Sequence, residues 1–257
     1  MLRLVINLDR SPERWESVRN QFDQLNLPIT RISGVDGRQL SAETLRNIQM
    51  PLKDKWEFPR LLSPGEVGCY LSHIKCWELL AKSKASWALI IEDDIQISPE
   101  AADFFRDASW IPENLELVQP FNFFDNCNMK VAKHEYSVMH GRKLMHPYKP
   151  SPVGTLAYFI TKKCALDALA ASRKLGMPVD EFLFGSMSSW AKKHPVWKLN
   201  PVLALPVGFD STIQLNRGKK SHTSSTWARL SPRRYFMRLQ NSLRRRLCSK
   251  KEVFIFK

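Results

Sequence analysis

Three adjacent carboxylates are the strongest chemical feature of this 257-residue sequence. Glu92, Asp93 and Asp94 directly follow the apolar run 87–91, which is typical of a buried strand. Neighbouring carboxylates repel one another, and a divalent cation relieves that repulsion. Because carboxylate oxygens are hard ligands, the pattern favours Mn²⁺ or Mg²⁺ over zinc. The alternative is a solvated acidic turn that also caps the next helix.

A second acidic pair, Asp180 and Glu181, lies inside the apolar segment 178–182. One of these carboxylates is a candidate general base, since partial burial would raise its pKa toward a useful range. The alternative is a helix N-terminus, where the helix dipole stabilises acidic side chains.

Two arginines, Arg10 and Arg14, flank the start of the first predicted helix. Guanidinium groups match phosphate geometry, and a helix N-terminus favours anions, so both are candidates for contact with a pyrophosphate. The alternative is a pair of surface charges balanced by Asp9 and Glu13. The sequence contains neither a P-loop motif nor Gly-x-Gly-x-x-Gly, which weighs against both kinds of nucleotide site.

His73 is the histidine inside a well-patterned predicted helix. Such a residue is more often packed and hydrogen-bonded than catalytic, and a contribution from His73 or from His222 stays open at this point. The five cysteines are widely spaced and form no Cys-x-x-Cys pair, which predicts reduced thiols of a cytosolic protein. Three of them are expected to pack in the core: Cys69, Cys76 and Cys164.

The elements that must position these groups begin with a strand over 2–8, a helix over 11–25 and a strand over 29–33. A β-α-β opening predicts a parallel sheet with right-handed crossovers. A helix over 66–81, started by a Ser-Pro cap, then precedes the strand 87–91 and its carboxylates.

The second half of the chain has weaker signals. A helix is expected after Ser98, and a strand within 115–125. Residues 126–152 carry several basic side chains and few periodic apolar ones, so they are expected to form a mobile loop. A strand over 153–160 and a helix over 163–173 follow.

The net charge of +14 is concentrated at the C-terminus. Residues 217–257 carry 13 Lys/Arg and one Glu, whereas the first 216 residues carry 26 basic and 24 acidic side chains. Within 230–247, apolar residues recur near helical spacing between arginines, which favours an interfacial amphipathic helix. The alternatives are a disordered, solvated tail and a nucleic-acid-binding segment. The apolar start of the chain is too short for a signal peptide, and no run reaches the roughly 18 apolar residues of a membrane span.

Several motifs follow one another along roughly residues 1–215. They are Ile6-Asn7-Leu8 with Arg14, Val35-Asp36-Gly37, Gly65-Glu66-Val67-Gly68-Cys69-Tyr70-Leu71-Ser72-His73, Leu89-Ile90-Ile91-Glu92-Asp93-Asp94, Gly154-Thr155-x-Ala157-Tyr158 and Pro178-Val179-Asp180. In this order they resemble glycosyltransferase family 25, and the tail lies outside the resemblance. That family includes bacterial lipopolysaccharide and lipooligosaccharide galactosyl- and glucosyltransferases and collagen galactosyltransferase domains.

The resemblance implies an α/β fold of the GT-A type, in which helices flank a Rossmann-like, mostly parallel sheet. We therefore expect a catalytic domain over 1–216 and a basic, helical, membrane-associating tail over 217–257. The implied reaction is the inverting transfer of galactose or glucose from a UDP-sugar to a glycan acceptor, such as lipopolysaccharide, with Mn²⁺ or Mg²⁺ as cofactor. Two alternatives are an inactive relative that binds sugar nucleotides or glycans, and a basic nucleic-acid-binding protein.

The implied partners are a UDP-sugar donor, a lipid-linked oligosaccharide acceptor and an anionic membrane surface, with no nucleic acid. The implied location is cytoplasmic, on the inner face of a bacterial cytoplasmic membrane. The resemblance assigns Asp94 and Glu92 to the metal and Asp180 to the catalytic base, with Glu181 as its rival. The implied donor-binding residues are Asn7, Leu8, Arg14, Asp36, Gly37, Ser72, Glu92 and Asp93. Leu156 stands where the family often has a polar residue, at a point expected to contact the acceptor.

Overall fold

The computed structural model describes residues 1–49, 61–124, 126–149, 154–207 and 249–256. In this part of the chain, a nine-stranded sheet has helices on both faces, and a two-stranded sheet lies beside it. The strands are β1 (Leu2–Asn7), β2 (Thr30–Ser33), β3 (Trp87–Glu92), β4 (Ile95–Ile97), β5 (Leu117–Gln119), β6 (Asn126–Ser137), β7 (Lys143–Lys149), β8 (Ala157–Thr161), β9 (Trp197–Asn200), β10 (Ala204–Pro206) and β11 (Ser249–Ile255). The helices are α1 (Pro12–Gln24), α2 (Ala42–Ile48), α3 (Pro64–Lys82), α4 (Ala101–Arg106), α5 (Lys162–Ala171), α6 (Val179–Phe184) and α7 (Ser189–Lys193).

The large sheet has the strand order β11-β6-β7-β9-β5-β8-β3-β1-β2. Strands β2, β1 and β3 are parallel, as the β-α-β opening predicts, and β5 pairs with β9 in parallel. Strand β8 runs antiparallel between β3 and β5, which makes β5 parallel to β3. The predicted α/β class is confirmed, and its parallel β2-β1-β3 end carries the predicted site.

Neighbouring residues of the central strands belong to two different cores. Leu4 and Ile90 face the side covered by α3, α5, α6 and α7, whereas Val5 and Leu89 face the side covered by α1 and α4. Successive side chains of a strand point to opposite faces, so the continuous apolar runs of β1 and β3 fit a sheet buried on both sides.

Helix α3 begins at the predicted Ser-Pro cap. The Ser63 hydroxyl accepts a hydrogen bond from the Glu66 backbone N–H at 3.3 Å, and the Glu66 carboxylate accepts one from the Ser63 N–H at 2.8 Å. This capping box, with Pro64 in the first turn, fixes the start of the helix. The first turns of α3 are thereby held beside the carboxyl end of β1, where they form one wall of the site.

The prediction of a mobile loop over 126–152 is wrong. Residues 126–137 and 143–149 form the antiparallel strands β6 and β7, joined by a turn with a positive φ at Gly141. Met129 and Val131 alternate with exposed neighbours and bury against Phe254 in a third small core. The partner that completes this core comes from a remote part of the chain, so the local pattern of 126–152 is too polar to reveal it.

The end of the predicted tail takes part in the sheet. Strand β11 pairs antiparallel with β6 over Ser249–Ile255, with Phe254 fully buried. The predicted amphipathic helix over 230–247 lies outside the described residues. None of the helices in the described ranges has the length and apolar character to cross a membrane.

Candidate functional site

A cleft opens at the carboxyl ends of β1 and β3, between the starts of α1 and α3. Its empty space amounts to about 850 Å³ including the open mouth. Parallel α/β sheets place ligand sites at this edge. Eight predicted site residues line the cleft: Leu8, Arg14, Asp36, Gly37, Ser72, Glu92, Asp93 and Asp94. Arg10, Cys69 and His73 line it as well.

Asp93 is held by an amide and a guanidinium group. The Asn7 side-chain amide donates to Asp93 Oδ2 at 2.6 Å, and Arg14 Nη1 lies 3.5 Å from Asp93 Oδ1. Asn7 is buried behind the cleft, and Arg31 donates to its amide oxygen at 2.9 and 2.7 Å. Burial raises the pKa of Asp93 even though Asn7 and Arg14 oppose the shift. Asn7 thus orients Asp93 and also bonds the Ser11 carbonyl of the α1 cap at 2.9 Å.

Glu92 is fixed from the opposite side. The Thr155 hydroxyl donates to Glu92 Oε1, and His73 Nε2 lies 3.5 Å from the same oxygen. Burial acts to raise the pKa of Glu92, but the contacts with His73 and Thr155 and the charge of Arg14 outweigh it and lower that pKa. Glu92 is therefore the carboxylate of the triplet that stays ionised most readily.

A buried chain of three side chains holds the ring of His73. Trp77 Nε1 donates to the Tyr158 hydroxyl at 2.9 Å, and that hydroxyl lies 2.9 Å from His73 Nδ1. The hydroxyl can accept from Trp77 and donate its own hydrogen to Nδ1, and in that arrangement the ring proton of His73 lies on Nε2. Nε2 faces Glu92, so His73 is both packed and in contact with the acid triplet. His222 lies outside the described residues.

We predict that Tyr158→Phe lowers the free energy of unfolding by about 1–3 kcal/mol, because the buried Trp77 N–H and His73 Nδ1 lose their partner. The variant should also weaken donor binding, since the His73 ring beside Glu92 loses the hydroxyl that holds it. Thermal denaturation and donor titration measure the two effects. Tyr70→Phe is the matched control: its buried hydroxyl pairs with Ser172 Oγ at 3.0 Å, away from Glu92. Equal loss of donor binding in both variants would contradict this role of Tyr158.

Asp94 differs from its two neighbours. Its Oδ1 is buried and has no hydrogen-bond partner in the described part of the chain. Burial first, and then the charges of Glu92 and Asp93, raise the pKa of Asp94 to about 7. An unpartnered carboxylate oxygen beside two further carboxylates suits a hard divalent cation. Asp94 and Glu92 therefore fit the predicted Mn²⁺ or Mg²⁺ ligands.

The raised pKa of Asp94 predicts that, in the absence of metal, the free energy of unfolding falls as pH rises. A carboxyl whose pKa is higher in the folded than in the unfolded state destabilises the fold as pH rises from about 4 to about 7. We expect a cost on the order of 2–4 kcal/mol at pH 8 relative to pH 4.5, which would lower Tm by roughly 5–10 °C. Thermal denaturation in chelator measures this change. Asp94→Asn should remove most of this slope, and an unchanged slope in that variant would contradict the assignment.

Backbone contacts explain the glycines of the cleft. A Cβ on Gly68 would lie 2.4 Å from the Val35 carbonyl oxygen, and one on Gly37 would lie 1.6 Å from the Pro64 oxygen. Ser72 Oγ accepts from the Val35 N–H at 2.8 Å and donates to the Gly68 carbonyl at 2.7 Å. Gly37 and Ser72 thus hold the segment after β2 against α3, which builds one wall of the cleft.

Asp36 caps the turn that follows on this wall. Its carboxylate accepts from the Arg38 N–H at 3.1 Å and from Arg10 Nε at 2.8 Å. Arg10 and Arg14 therefore face the cleft from one side, each paired with an acid. A bound anion could exchange with those acids for the two guanidinium groups.

The acidic pair on α6 is placed differently from the triplet. Asp180 and Glu181 are half-buried and are not among the residues that line the cleft. Burial raises the pKa of the Cys69 thiol, and the charges of Glu92, Asp180 and Asp94 raise it further, so the Asp180 carboxylate lies near a thiol of the cleft wall. The Glu181 carboxylate packs on Gly185, where a Cβ would lie 2.1 Å from its Oε2.

Some residues of the site carry no local signal in the sequence. Arg31 lies on the edge strand β2 and reads as a surface charge, although it anchors Asn7. Tyr158 lies in a predicted apolar strand, although its hydroxyl joins Trp77 to His73. Thr155 and Tyr158 both belong to a motif of the family resemblance, and that motif is the signal for both residues.

A model of the family described as glycosyltransferase family 25 (LPS biosynthesis protein) matches residues 1–183. The chain belongs to glycosyltransferase family 25. The matched range contains every predicted site residue from Asn7 to Glu181. A Drosophila melanogaster glycosyltransferase 25 family member is 33% identical over 186 residues, which cover 70% of this chain and 29% of that protein.

Two human family 25 proteins are also similar to the chain. An inactive glycosyltransferase 25 family member 3 is 26% identical over 252 residues, covering 87% of this chain and 39% of that protein. Procollagen galactosyltransferase 2 is 26% identical over 200 residues, covering 75% of this chain and 30% of that protein. The chain thus spans about a third of the length of these relatives.

Among solved structures, a glycosyltransferase involved in the glycosylation of the major capsid of PBCV-1 is similar at 11% identity with a TM-score of 0.42. That likeness covers 82% of this chain and 93% of the other.

Proposed function

We propose that this family 25 chain is an inverting glycosyltransferase that moves a hexosyl group from a UDP-sugar to a hydroxyl group of an acceptor. The observation that carries the proposal is that the three carboxylates at the end of β3 differ in their hydrogen-bond partners. Glu92 and Asp93 are each held by other side chains, whereas Asp94 presents an oxygen without a partner in the described residues. Such an oxygen, opposite the two arginines of the cleft, is suited to a cation that accompanies a diphosphate.

The donor would occupy the cleft with its diphosphate between the arginines and the triplet. Arg10 and Arg14 would exchange their present partners, Asp36 and Asp93, for phosphate oxygens. Asp94 and Glu92 would hold a Mn²⁺ or Mg²⁺ ion, which would neutralise the charge that develops on the departing UDP. The proposed nucleoside pocket is the wall formed by the residues after β1 and β2, including Leu8 and Asp36.

The acceptor would react from the side of α6. In an inverting transfer, the acceptor oxygen forms a bond to the anomeric carbon while the bond from that carbon to the diphosphate oxygen breaks. A carboxylate accepts the hydroxyl proton in the same step. We assign this proton transfer to Asp180, whose charge acts on the same cleft thiol as Glu92 and Asp94. Glu181 is the rival base.

A screen of UDP-sugars with and without Mn²⁺ tests the donor. A ligand that binds the native state raises Tm, and a hundredfold excess over Kd contributes about 2.7 kcal/mol. We expect UDP-galactose or UDP-glucose to raise Tm with Mn²⁺ and to release UDP in the presence of acceptor. Absence of any Tm change with every UDP-sugar, for a protein that is folded, would overturn the proposal.

A second candidate function is sugar-nucleotide binding without catalysis. It is favoured by the human relative named inactive, which aligns with 87% of this chain. The presence of the acid triplet and of both acids on α6 favours an active glycosyltransferase over a binding protein. A Mn²⁺-dependent rise in Tm without any UDP release, measured with both a saccharide and a collagen-type acceptor, would support the binding protein instead.

We further propose that the acceptor is a lipid-linked saccharide and that the chain docks on the inner face of a bacterial cytoplasmic membrane through its basic tail. The family description names LPS biosynthesis, and 12 net positive charges lie in residues 217–257. The animal relative named procollagen galactosyltransferase 2 makes procollagen the competing acceptor. Transfer to the two acceptor classes, measured side by side, decides between them.

The tail proposal predicts a loss of membrane binding on partial neutralisation. Changing Arg238, Arg244, Arg245 and Arg246 together to glutamine should weaken binding to anionic vesicles at least about a hundredfold, because each basic residue near an anionic surface contributes about 1 kcal/mol. Vesicle co-sedimentation measures the change. The control changes four exposed lysines of the body to glutamine: Lys82, Lys84, Lys192 and Lys193. Undiminished binding of the arginine variant, or an equal loss in the control, would reject the docking of the tail.

A further inference from the structure

A second group of ligating side chains lies on the other side of the sheet from the cleft along the strand direction, at the amino end of β5. Glu116 directly precedes β5, Cys164 lies in the first turn of α5, and His194 follows α7. Strand β5 is parallel to β3, so the amino end of β5 faces away from the carboxylates that follow β3. This group is therefore separate from the donor site.

The three side chains converge on one point. One carboxylate oxygen of Glu116, the Cys164 sulfur and a ring nitrogen of His194 lie within 4.8 Å of one another. Ligands of a tetrahedral zinc ion, at about 2.0–2.3 Å from the metal, are separated by roughly 3.3–3.8 Å. The longest separation in the group therefore exceeds the spacing of zinc ligands by at most about 1.5 Å. Cys164 and His194 are buried, and Glu116 is half-buried, so the site is largely shielded from water.

His194 lies between two carboxylates. Nδ1 lies 3.0 Å from Glu116 Oε2, within hydrogen-bond distance, and Nε2 lies 3.6 Å from Asp167 Oδ2, just beyond it. Metal-binding histidines commonly donate their second ring N–H to a carboxylate, which fixes the tautomer and the ring orientation. Asp167 lies three residues after Cys164 on α5 and so occupies the position of that orienting carboxylate.

The donor set selects the metal. A thiolate, an imidazole and a carboxylate together favour Zn²⁺ over Mg²⁺ or Mn²⁺. Burial raises the pKa of the Cys164 thiol, and the charges of Glu116 and Asp167 raise it further. A cation among these groups would reverse that penalty. Lys163 Nζ contacts the other oxygen of Glu116 at 2.5 Å, and this contact leaves Oε2 facing His194.

We propose that Glu116, Cys164 and His194 bind a zinc ion, with Asp167 orienting His194. The ion would join the end of α7 to α5 and β5. His194 stacks on Trp190 with ring centroids 4.4 Å apart, and Trp190 stacks on Phe182 of α6 at 4.9 Å. The metal would thereby hold in place the helix that carries the proposed catalytic base, while contacting none of the reacting groups.

Cobalt substitution tests the site without reference to sugar transfer. A Co²⁺ ion bound by a thiolate gives a charge-transfer band in the near ultraviolet and intensified visible bands when it is tetrahedral. We expect these bands on titration of the metal-free protein with Co²⁺, and their loss on addition of one equivalent of Zn²⁺. Cys164→Ser should abolish the charge-transfer band, and Asp167→Asn should lower Co²⁺ affinity about 10- to 100-fold.

Cys69→Ser is the matched control, because Cys69, His73 and Glu92 form the other group of close ligating atoms in the described residues. The band should persist in that variant. A wild-type protein without the band overturns the proposal, as does a band that survives Cys164→Ser and disappears in Cys69→Ser. Should Cys164→Ser not fold, Asp167→Asn decides: unchanged Co²⁺ affinity in that variant contradicts the arrangement. A purely ionic pairing of His194 with its two carboxylates predicts no band at all.

Discussion

Changing Asp94 to alanine is expected to abolish sugar transfer, with a fall in turnover of at least about a thousandfold in Mn²⁺-containing buffer. The reason is the position of Asp94 within the triplet. Its Oδ1 is buried without a hydrogen-bond partner in the described residues, and its pKa is raised to about 7. This oxygen therefore makes no hydrogen bond to the described part of the fold, and a cation is the partner that would make the charge of Asp94 favourable.

The same variant should fold at least as stably as the original protein at pH 7.5 in the absence of metal. Removing a carboxylate that is ionised against burial and against two neighbouring charges relieves repulsion. Loss of activity together with unchanged or higher Tm separates a functional role from a structural one. Steady-state turnover, Tm in chelator and the rise of Tm with Mn²⁺ are the measurements.

Asp103→Ala is the control for Asp94→Ala. Asp103 is an exposed acid that pairs with His140 at 2.9 Å, on α4 and outside the cleft. It should keep full turnover and its response to Mn²⁺. Undiminished turnover of Asp94→Ala would remove Asp94 from the metal site and with it the main support of the proposed function.

Changing Asp180 to asparagine is expected to lower kcat about 10²- to 10⁴-fold, the usual contribution of a general base, while donor binding is retained. Asparagine keeps the shape of the side chain but cannot accept the proton of the acceptor hydroxyl. Asp180 also accepts from the Glu181 N–H at 2.9 Å, a contact that the asparagine oxygen preserves. Turnover and donor titration measured on the same preparation distinguish chemistry from binding.

Glu181→Gln is the matched comparison for Asp180→Asn. The Glu181 carboxylate packs against Gly185, which directly follows its helix, so its loss should affect turnover far less. A large loss of turnover in Glu181→Gln, together with near-normal turnover in Asp180→Asn, would make Glu181 the base in place of Asp180. Near-normal turnover of both variants would place the base elsewhere.

The order of the elements follows from local sequence. The apolar runs of β1 and β3 and the Ser-Pro cap that starts α3 are short-range signals, and the elements predicted over 2–33 and 66–91 are present. The Ser63–Glu66 capping box is legible in the sequence because its two partners are three residues apart. The hairpin β6–β7 was missed because its buried side depends on β11, which lies more than a hundred residues further along the chain.

The sequence predicted which residues form the candidate site, but it did not predict the contacts among their side chains. The sequence identified the triplet, the arginines of the cleft and the α6 acids, because their types and motifs are visible without a structure. It did not show that Arg31 holds Asn7, or that the Tyr158 hydroxyl contacts His73 Nδ1. These contacts join residues that are 24 and 85 positions apart, and only strand register and helix packing bring them together.

The three carboxylates at the end of a buried strand and the resemblance to glycosyltransferase family 25 are both legible without a structure. The differences among the three carboxylates arise only in the folded chain. Thr155 and His73 hold Glu92, Asn7 and Arg14 hold Asp93, and Asp94 is left with an oxygen that none of the described groups satisfies. The physical reason is that a carboxylate's pKa and partners depend on burial and on neighbours from other strands and helices, which adjacent positions in a sequence do not reveal.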